Sequence, residues 1–210
     1  MMKKYCLLLL VSSTFHPARA QCQENKAFAL LDNISHHNFQ AAFVYSSQSS
    51  QGKPGETLEG NIAVQGHQYR LSMDGQEIVN DGTTIWTYLT YANEVQITNH
   101  HPEQAAATPW AILNNYRQDY TVLDLCTQEI DQHVYDVINL QAKDKEHSLP
   151  HITLTIERTT KHIKRLATLD SDQTLHIFSI TDFAYDLKFD KAFFNFNTKE
   201  YVAIEIIDMR

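Results

Sequence analysis

The chain of 210 residues carries 17 Lys and Arg against 25 Asp and Glu, a formal net charge of −8, and is 43% hydrophobic. That length holds one domain with a sizeable core. The acidic balance argues against nucleic acid or an anionic lipid surface as partner, and fits neutral or basic partners or plain solubility.

Residues 1–20 read as a cleaved secretory signal. Lys3 and Lys4 give a positive start, residues 6–11 an apolar centre, and Ala18-Arg19-Ala20 a small-x-small cleavage site. The apolar run is too short to span a bilayer, and no later stretch is long and apolar enough. Cys22 raises the alternative of a lipidated terminus, but Ala20 and Gln21 before it, with no Leu three residues upstream, fit that motif poorly. The expectation is an exported chain starting at Gln21. Its formal charge falls from −8 to −11, because the segment removed holds Lys3, Lys4 and Arg19 and no acid. Cys22 and Cys126 remain. In an oxidising compartment such a pair suggests a disulfide; the alternative is a buried Cys126 and a free Cys22.

Residues 24–38 have helical spacing, with Ala27, Leu30, Leu31 and Ile34 in one apolar stripe and Phe28 at its edge. Residues 39–46 open a sheet, a Gly/Pro/Ser-rich turn fills 49–55, and a strand follows over 58–64. The block 60–99 then reads as short antiparallel strands around the turn dipeptides Gly66-His67 and Asp74-Gly75. Asn80-Asp81-Gly82 is the strongest hairpin signal and predicts a type I′ turn at Asp81-Gly82. Beyond it, residues 85–91 are rich in aromatic and β-branched side chains, and Asn93 turns the chain into an alternating strand over 94–98.

Residues 100–118 break this rhythm. Residues 103–107 are helix-forming, and Thr108 as N-cap with Pro109 at the first helical position starts a second helix. Strands resume over 120–125, 134–142, 152–157, 163–169 and 175–189, with a last one over 201–207. The total is roughly ten or eleven strands, with no repeat and no linker. Residues 21–210 are therefore expected to form a single domain of α+β class, mainly β: one large, strongly curved antiparallel sheet with two helical insertions.

Chemistry-bearing motifs are missing. The 11 histidines include the adjacent pairs His36-His37 and His100-His101, whose rings diverge, and neither HExxH nor CxxC occurs. No GxSxG elbow, phosphate loop or GxGxxG is present. The expectation is no metal, no cofactor and no catalysis. What stands out is the aromatic content of the strands, among them Phe39, Phe43, Tyr45, Tyr69, Trp86, Tyr88 and Phe178. If the helices cover the sheet completely, these rings are core; if incompletely, the gap suits an acyl chain.

The order of these features resembles the periplasmic carriers of outer-membrane lipoproteins, the LolA family. The resemblance rests on a glycine-led strand at Gly60, Tyr69-Arg70-Leu71, Asp81-Gly82, Ile85-Trp86-Thr87-Tyr88 and Asn93-Glu94-Val95. It rests also on Thr108-Pro109-Trp110 and the Phe194-x-Phe196 pair. It is closest to the branch found in Bacteroides-type bacteria. The resemblance implies a periplasmic monomer with an open (unclosed) antiparallel β-barrel, or half-barrel, under a short α-helical lid. It also implies acylated lipoproteins as cargo and an inner-membrane lipoprotein-releasing transporter as donor, with the outer-membrane acceptor unspecified.

Resemblance and pattern together select Phe43, Tyr69, Leu71, Trp86, Tyr88, Trp110 and Leu113 as lipid contacts. A one-residue slip in strand parity would exchange Trp86 and Tyr88 for Ile85 and Leu89. Better-studied members carry an arginine four residues before the aromatic that matches Tyr69, where this chain has Gln65. Gln65, restricted to neutral hydrogen bonds, and Arg70, pointing to the opposite face from Tyr69, are the candidate lid contacts. Two rival readings stay open: a periplasmic envelope-stress sensor of the same fold that binds a protein partner, and a carrier of other lipids.

Overall fold

The computed structural model describes residues 17–100 and 112–210. Helix α1 (Pro17–Ser35) leads into six strands: β1 (Phe39–Gln48), β2 (Pro54–Gln65), β3 (Gln68–Met73), β4 (Gln76–Asn80), β5 (Thr84–Leu89) and β6 (Glu94–Asn99). Helix α2 (Ile112–Asp119) precedes β7 (Tyr120–Ile130), β8 (His133–Ala142), β9 (His151–Glu157), β10 (Ile163–Leu169) and β11 (Leu175–Tyr185). A 3₁₀ turn (Thr198–Glu200) and the short strand β12 (Glu205–Asp208) follow. The expected start of the second helix at Thr108-Pro109 lies outside the described residues.

All twelve strands form one sheet in the order β12-β6-β5-β4-β3-β2-β1-β11-β10-β9-β8-β7. It grows outward from the centre: β1 to β6 make successive hairpins on one side, and β11 back to β7 do the same on the other. The long-range pairing of β1 with β11 joins the halves. This arrangement corrects the expectation of an open barrel or strongly curved half-barrel under a lid. The terminal strands β12 and β7 do not meet, so the sheet keeps two free edges, and it is neither closed into a barrel nor strongly curved. Closure needs the last strand to hydrogen-bond the first with a fixed shear. Here the outermost place on one side is taken by β12, which joins β6 in parallel, so the sheet is not wholly antiparallel either.

Turn chemistry sets the hairpins. Asp74 and Gly75 both have positive φ (49° and 70°) and connect Met73 to Gln76 as a two-residue turn, the geometry expected one hairpin later. At Asp81-Gly82 the loop is longer, and of the two only Gly82 has positive φ (96°). The Asp81 carboxylate there accepts hydrogen bonds from Thr83 N, Thr83 Oγ1 and Thr84 N, each at 2.8 Å. An aspartate that can cap its own turn in this way does not need the primed geometry.

Residues paired across strands share a face. The inner face carries Phe39, Ala41 and Phe43 of β1 with Ile62 and Val64 of β2 and Tyr69 and Leu71 of β3. On the other half it continues through Phe178, Leu166, Leu154 and Ile138. These residues and the α1 stripe Ala27, Phe28, Leu31 and Ile34 make up the larger core. Alternation in the strands and the three- and four-residue spacing in the helix turn both sets toward the same interior. A smaller core lies on the opposite face, where Val79, Tyr88, Val95 and Ile97 pack against Phe196 of the C-terminal segment.

Phe43 shows how tightly the centre is filled. It pairs with Gly60 across the β1·β2 ladder, and a Cβ built on Gly60 would stand 2.4 Å from Phe43 Cζ and 2.9 Å from the Ser72 carbonyl oxygen. Phe43 is only 2% exposed and meets Phe178 edge-on at 5.5 Å, so the ring has nowhere to go. Gly60→Ala is therefore expected to destabilise the fold by about 1–3 kcal/mol. Urea unfolding should show this as a lower midpoint at unchanged slope.

Candidate functional site

The helices pack at one side of the sheet: α1 lies against β7 and α2, and α2 against β7. Leu113 and Tyr116 of α2 enter the larger core beside Phe28. Polar contacts hold the helix pair. Asp32 of α1 accepts hydrogen bonds from the Tyr116 hydroxyl and from Arg117 Nη2, with Arg117 Nε at 3.2 Å. The Arg117 guanidinium also lies 4.7 Å from the centre of the Phe28 ring. At the end of α2, Lys143 Nζ donates to the carbonyls of Arg117 and Gln118 at 2.8 and 2.9 Å, where a cation is favoured by orphan carbonyls and the helix dipole.

Across the sheet from this helix pair, the inner face is only half covered. Leu71, Met73 and Ile78 pack against the larger core yet stay half-buried. Strand pairing places Ile85 and Leu89 on that same face, opposite Asn80 and Gln76, and they too are half-buried. The result is an apolar row on β3–β5 continuous with a buried core, the surface on which an apolar chain gains most by burial. At its inner end Tyr69 is buried, which pushes its hydroxyl pKa up, and Asn80 is its side-chain partner.

Four of the sequence-selected contacts, Phe43, Tyr69, Leu71 and Leu113, do meet in one cluster. Phe43 and Leu113 are close-packed core there, and Leu71 is the half-open one. Trp86 and Tyr88 lie on the opposite face, paired with Val79, Glu77, Ile97 and Val95. They serve the smaller core, where Tyr88 meets Tyr201 at 4.6 Å and Phe196 at 5.6 Å. The strand parity is thus the slipped one, with Ile85 and Leu89 inward. Trp110 lies outside the described residues.

Gln65 ends β2 and is paired with Gln68 across the Gly66-His67 turn. Arg70 does face away from Tyr69, and what it holds there is the C-terminal segment. Its Nη1 donates to the Phe193 carbonyl at 3.0 Å, its Nε to Glu77 Oε1 at 2.6 Å, and its guanidinium sits 5.6 Å from the Phe193 ring centre. Cys126 on β7 carries a half-buried free thiol; the side chain of Cys22 lies outside the described residues. The Asp32 clamp and the C-terminal aromatic cover were missed in the sequence, and only the Phe194-x-Phe196 pair hinted at the second.

Among the described residues no group of three or more His, Cys, Asp or Glu could hold a metal ion, and no helix is long and apolar enough to cross a membrane. The sequence pattern of the outer membrane lipoprotein carrier protein LolA matches residues 35–197. The chain belongs to the LolA family. Its family is one of carriers and not of catalysts. No curated protein matches the chain.

Among solved structures, an uncharacterised conserved protein from Thermus thermophilus is similar at 13% identity. That match covers 87% of this chain and 99% of that one, with a TM-score of 0.57. A LolA-superfamily protein from Nitrosomonas europaea is 13% identical over 83% of this chain and 98% of that one, TM-score 0.47. The Pseudomonas aeruginosa MucA/MucB complex matches at 14% identity over 86% of this chain and 64% of that one, TM-score 0.37. At such identities the likeness speaks for the fold alone.

The Asp32 clamp has a definite pH signature. Arg117 first and Tyr116 second hold the Asp32 carboxyl below its ordinary pKa. A lowered folded-state pKa gives stability that is complete above the ordinary carboxylate value and is lost as pH falls through the lowered one. Asp32→Asn should speed hydrogen exchange of the α2 amides at neutral pH, leave β8 and β9 amides unchanged, and abolish the acid-side dependence of α2 protection. The expected size is roughly 0.5–1 kcal/mol, because the pair is partly exposed.

Proposed function

We propose that this chain is a periplasmic binding and carrying module that takes up acyl chains on the inner face of β3–β5. The observation that carries this reading is the half-covered row Leu71, Met73, Ile78, Ile85 and Leu89, continuous with the buried Phe43, Ile62 and Tyr69 of the larger core. Each methylene buried there is worth about 0.8 kcal/mol, so part of one long chain gives useful affinity. Family membership supports acylated lipoproteins as cargo, received from an inner-membrane lipoprotein-releasing transporter and passed to the outer membrane. An apolar row reads the chain and not the headgroup, so other lipids fit it equally well. The Ile85-Trp86-Thr87-Tyr88 and Asn93-Glu94-Val95 strings support the Bacteroides-type branch. Cleavage after Ala20 would trim the first turn of α1, which starts at Pro17, and leave residues 21–210 as one monomeric domain.

A second reading, a module that binds a protein partner, is favoured by the β12 edge. All four residues of β12 are exposed, with Ile206 51% and, just beyond, Met209 54% exposed, at an edge open to a further strand. A fluorescent fatty-acid probe separates the two. The carrier reading predicts uptake by the native chain, at least roughly tenfold weaker in Leu71→Glu and Ile78→Glu, where a charge would enter apolar surface. Ser72→Glu, on the other face, should leave uptake unchanged. No uptake by the native chain, with a partner protein whose capture is lost in Ile206→Lys, would overturn the carrier in favour of the partner-binding module.

A further inference from the structure

A groove of about 570 Å³ runs between α1 and the β7–β8 hairpin, away from the β3–β5 row. Its apolar floor is Ala29 and Leu30 of α1 with Leu125 of β7, and both leucines pack against the larger core. Its walls carry three cations, Lys26, Arg158 and Lys161, and one carboxylate, Asp136. A basic groove is unexpected on a chain with a formal charge of −8.

The acid in the groove is already spoken for. Asp136 is 7% exposed and is held by Arg158, whose Nε lies 3.1 and 3.2 Å from its two oxygens and whose Nη2 also bonds it. Arg158 Nη2 donates in addition to Thr127 Oγ1 at 2.6 Å. These bonds use Nε and Nη2 and fix the plane of the guanidinium, leaving the Nη1 donors available. Lys26 and Lys161 have no carboxylate partner among the described residues. Two uncompensated ammonium groups and an oriented guanidinium edge thus surround an aliphatic floor, in a volume typical of small-molecule sites. Guanidinium and ammonium donors recognise carboxylate and phosphate oxygens, and charge-assisted bonds of this kind are the strong ones.

We propose that this groove is a binding site for a small anionic amphiphile, a single aliphatic chain ending in a carboxylate or a phosphate. The tail lies on Ala29, Leu30 and Leu125, and the head is held by Lys26, Lys161 and Arg158. The site is separate from the β3–β5 row and does not require the acyl-carrier reading to hold.

The test is a titration of the full chain with dodecanoate, dodecyl phosphate, the uncharged dodecanol and inorganic phosphate, followed by NMR shifts at Ala29, Leu30 and Leu125. The expected result is that an anionic amphiphile shifts these residues and binds at least roughly tenfold tighter than dodecanol. Lys26→Ala/Lys161→Ala should remove that preference and keep dodecanol binding, while Leu71→Glu leaves the groove titration unchanged. Whichever of dodecanoate and dodecyl phosphate binds tighter names the headgroup. Equal binding of dodecanol, inorganic phosphate binding as tightly as dodecyl phosphate, or loss of the groove signal in Leu71→Glu would each overturn the proposal. The lysine variants change exposed or half-buried groups, so the fold is expected to survive them, and unchanged α2 hydrogen exchange checks this.

Discussion

The register of β1 is the constraint on which the molecule depends. With β11 this strand forms the seam between the two halves of the sheet, and its Phe39, Ala41 and Phe43 all face the larger core. A slip of one residue on either side would turn those three side chains out and bring Gln40 and Ala42 in. Gly60 enforces the register on one side by leaving room for the Phe43 ring, and Phe178 and Phe183 do so on the other. β1 pairs locally with β2 but over a long sequence distance with β11. This places the fold among topologies rich in non-local contacts, which fold slowly.

From this centre the two halves are finished differently. On the β7 side the inner face is covered by α1 and α2 apart from the groove over Leu30 and Leu125; Asp32 and Arg117 join the two helices, and Lys143 caps the end of α2. On the β3–β6 side it is the outer face that is sealed, by a C-terminal segment anchored through Arg70, Phe196, Tyr201 and β12. Asn93 fastens that segment further by donating to the carbonyls of Val202 and Ala203 at 3.0 Å. Among the described residues the inner face of β3–β5 is left half-covered. A surface so placed is held rigidly by its own strands while remaining accessible, which suits a ligand recognised by apolar area and not by directional bonds.

The strands were legible because their signals are local: alternation in residues 94–98, aromatic and β-branched side chains over 85–91, and the turn dipeptides Gly66-His67 and Asp74-Gly75. The α1 stripe was legible for the same reason. The shape of the sheet was not, since how far it curves is decided by pairings far apart in sequence; the strong curvature was expected from the strand pattern and the open, unclosed barrel from family resemblance. Strand parity failed at Trp86 and Tyr88 because an aromatic in a strand names a buried face without saying which one. The ring-rich C-terminal segment that claims them lies more than a hundred positions further on. Arg158 and Lys161 share the β9–β10 turn, but Lys26 lies more than a hundred and thirty positions earlier on α1, so no spacing rule could have assembled the three.

The central claim, that apolar surface on the inner face holds an acyl chain, is tested most directly by native mass spectrometry of the protein purified from its own periplasm, with extraction of whatever is bound. The account predicts an added mass that resolves into acylated peptide or lipid, retained in the native chain and lost in Leu71→Glu. Protein that is empty when purified and stays empty after incubation with fatty acid would contradict it, and would leave the row on β3–β5 as nothing more than thinly covered core.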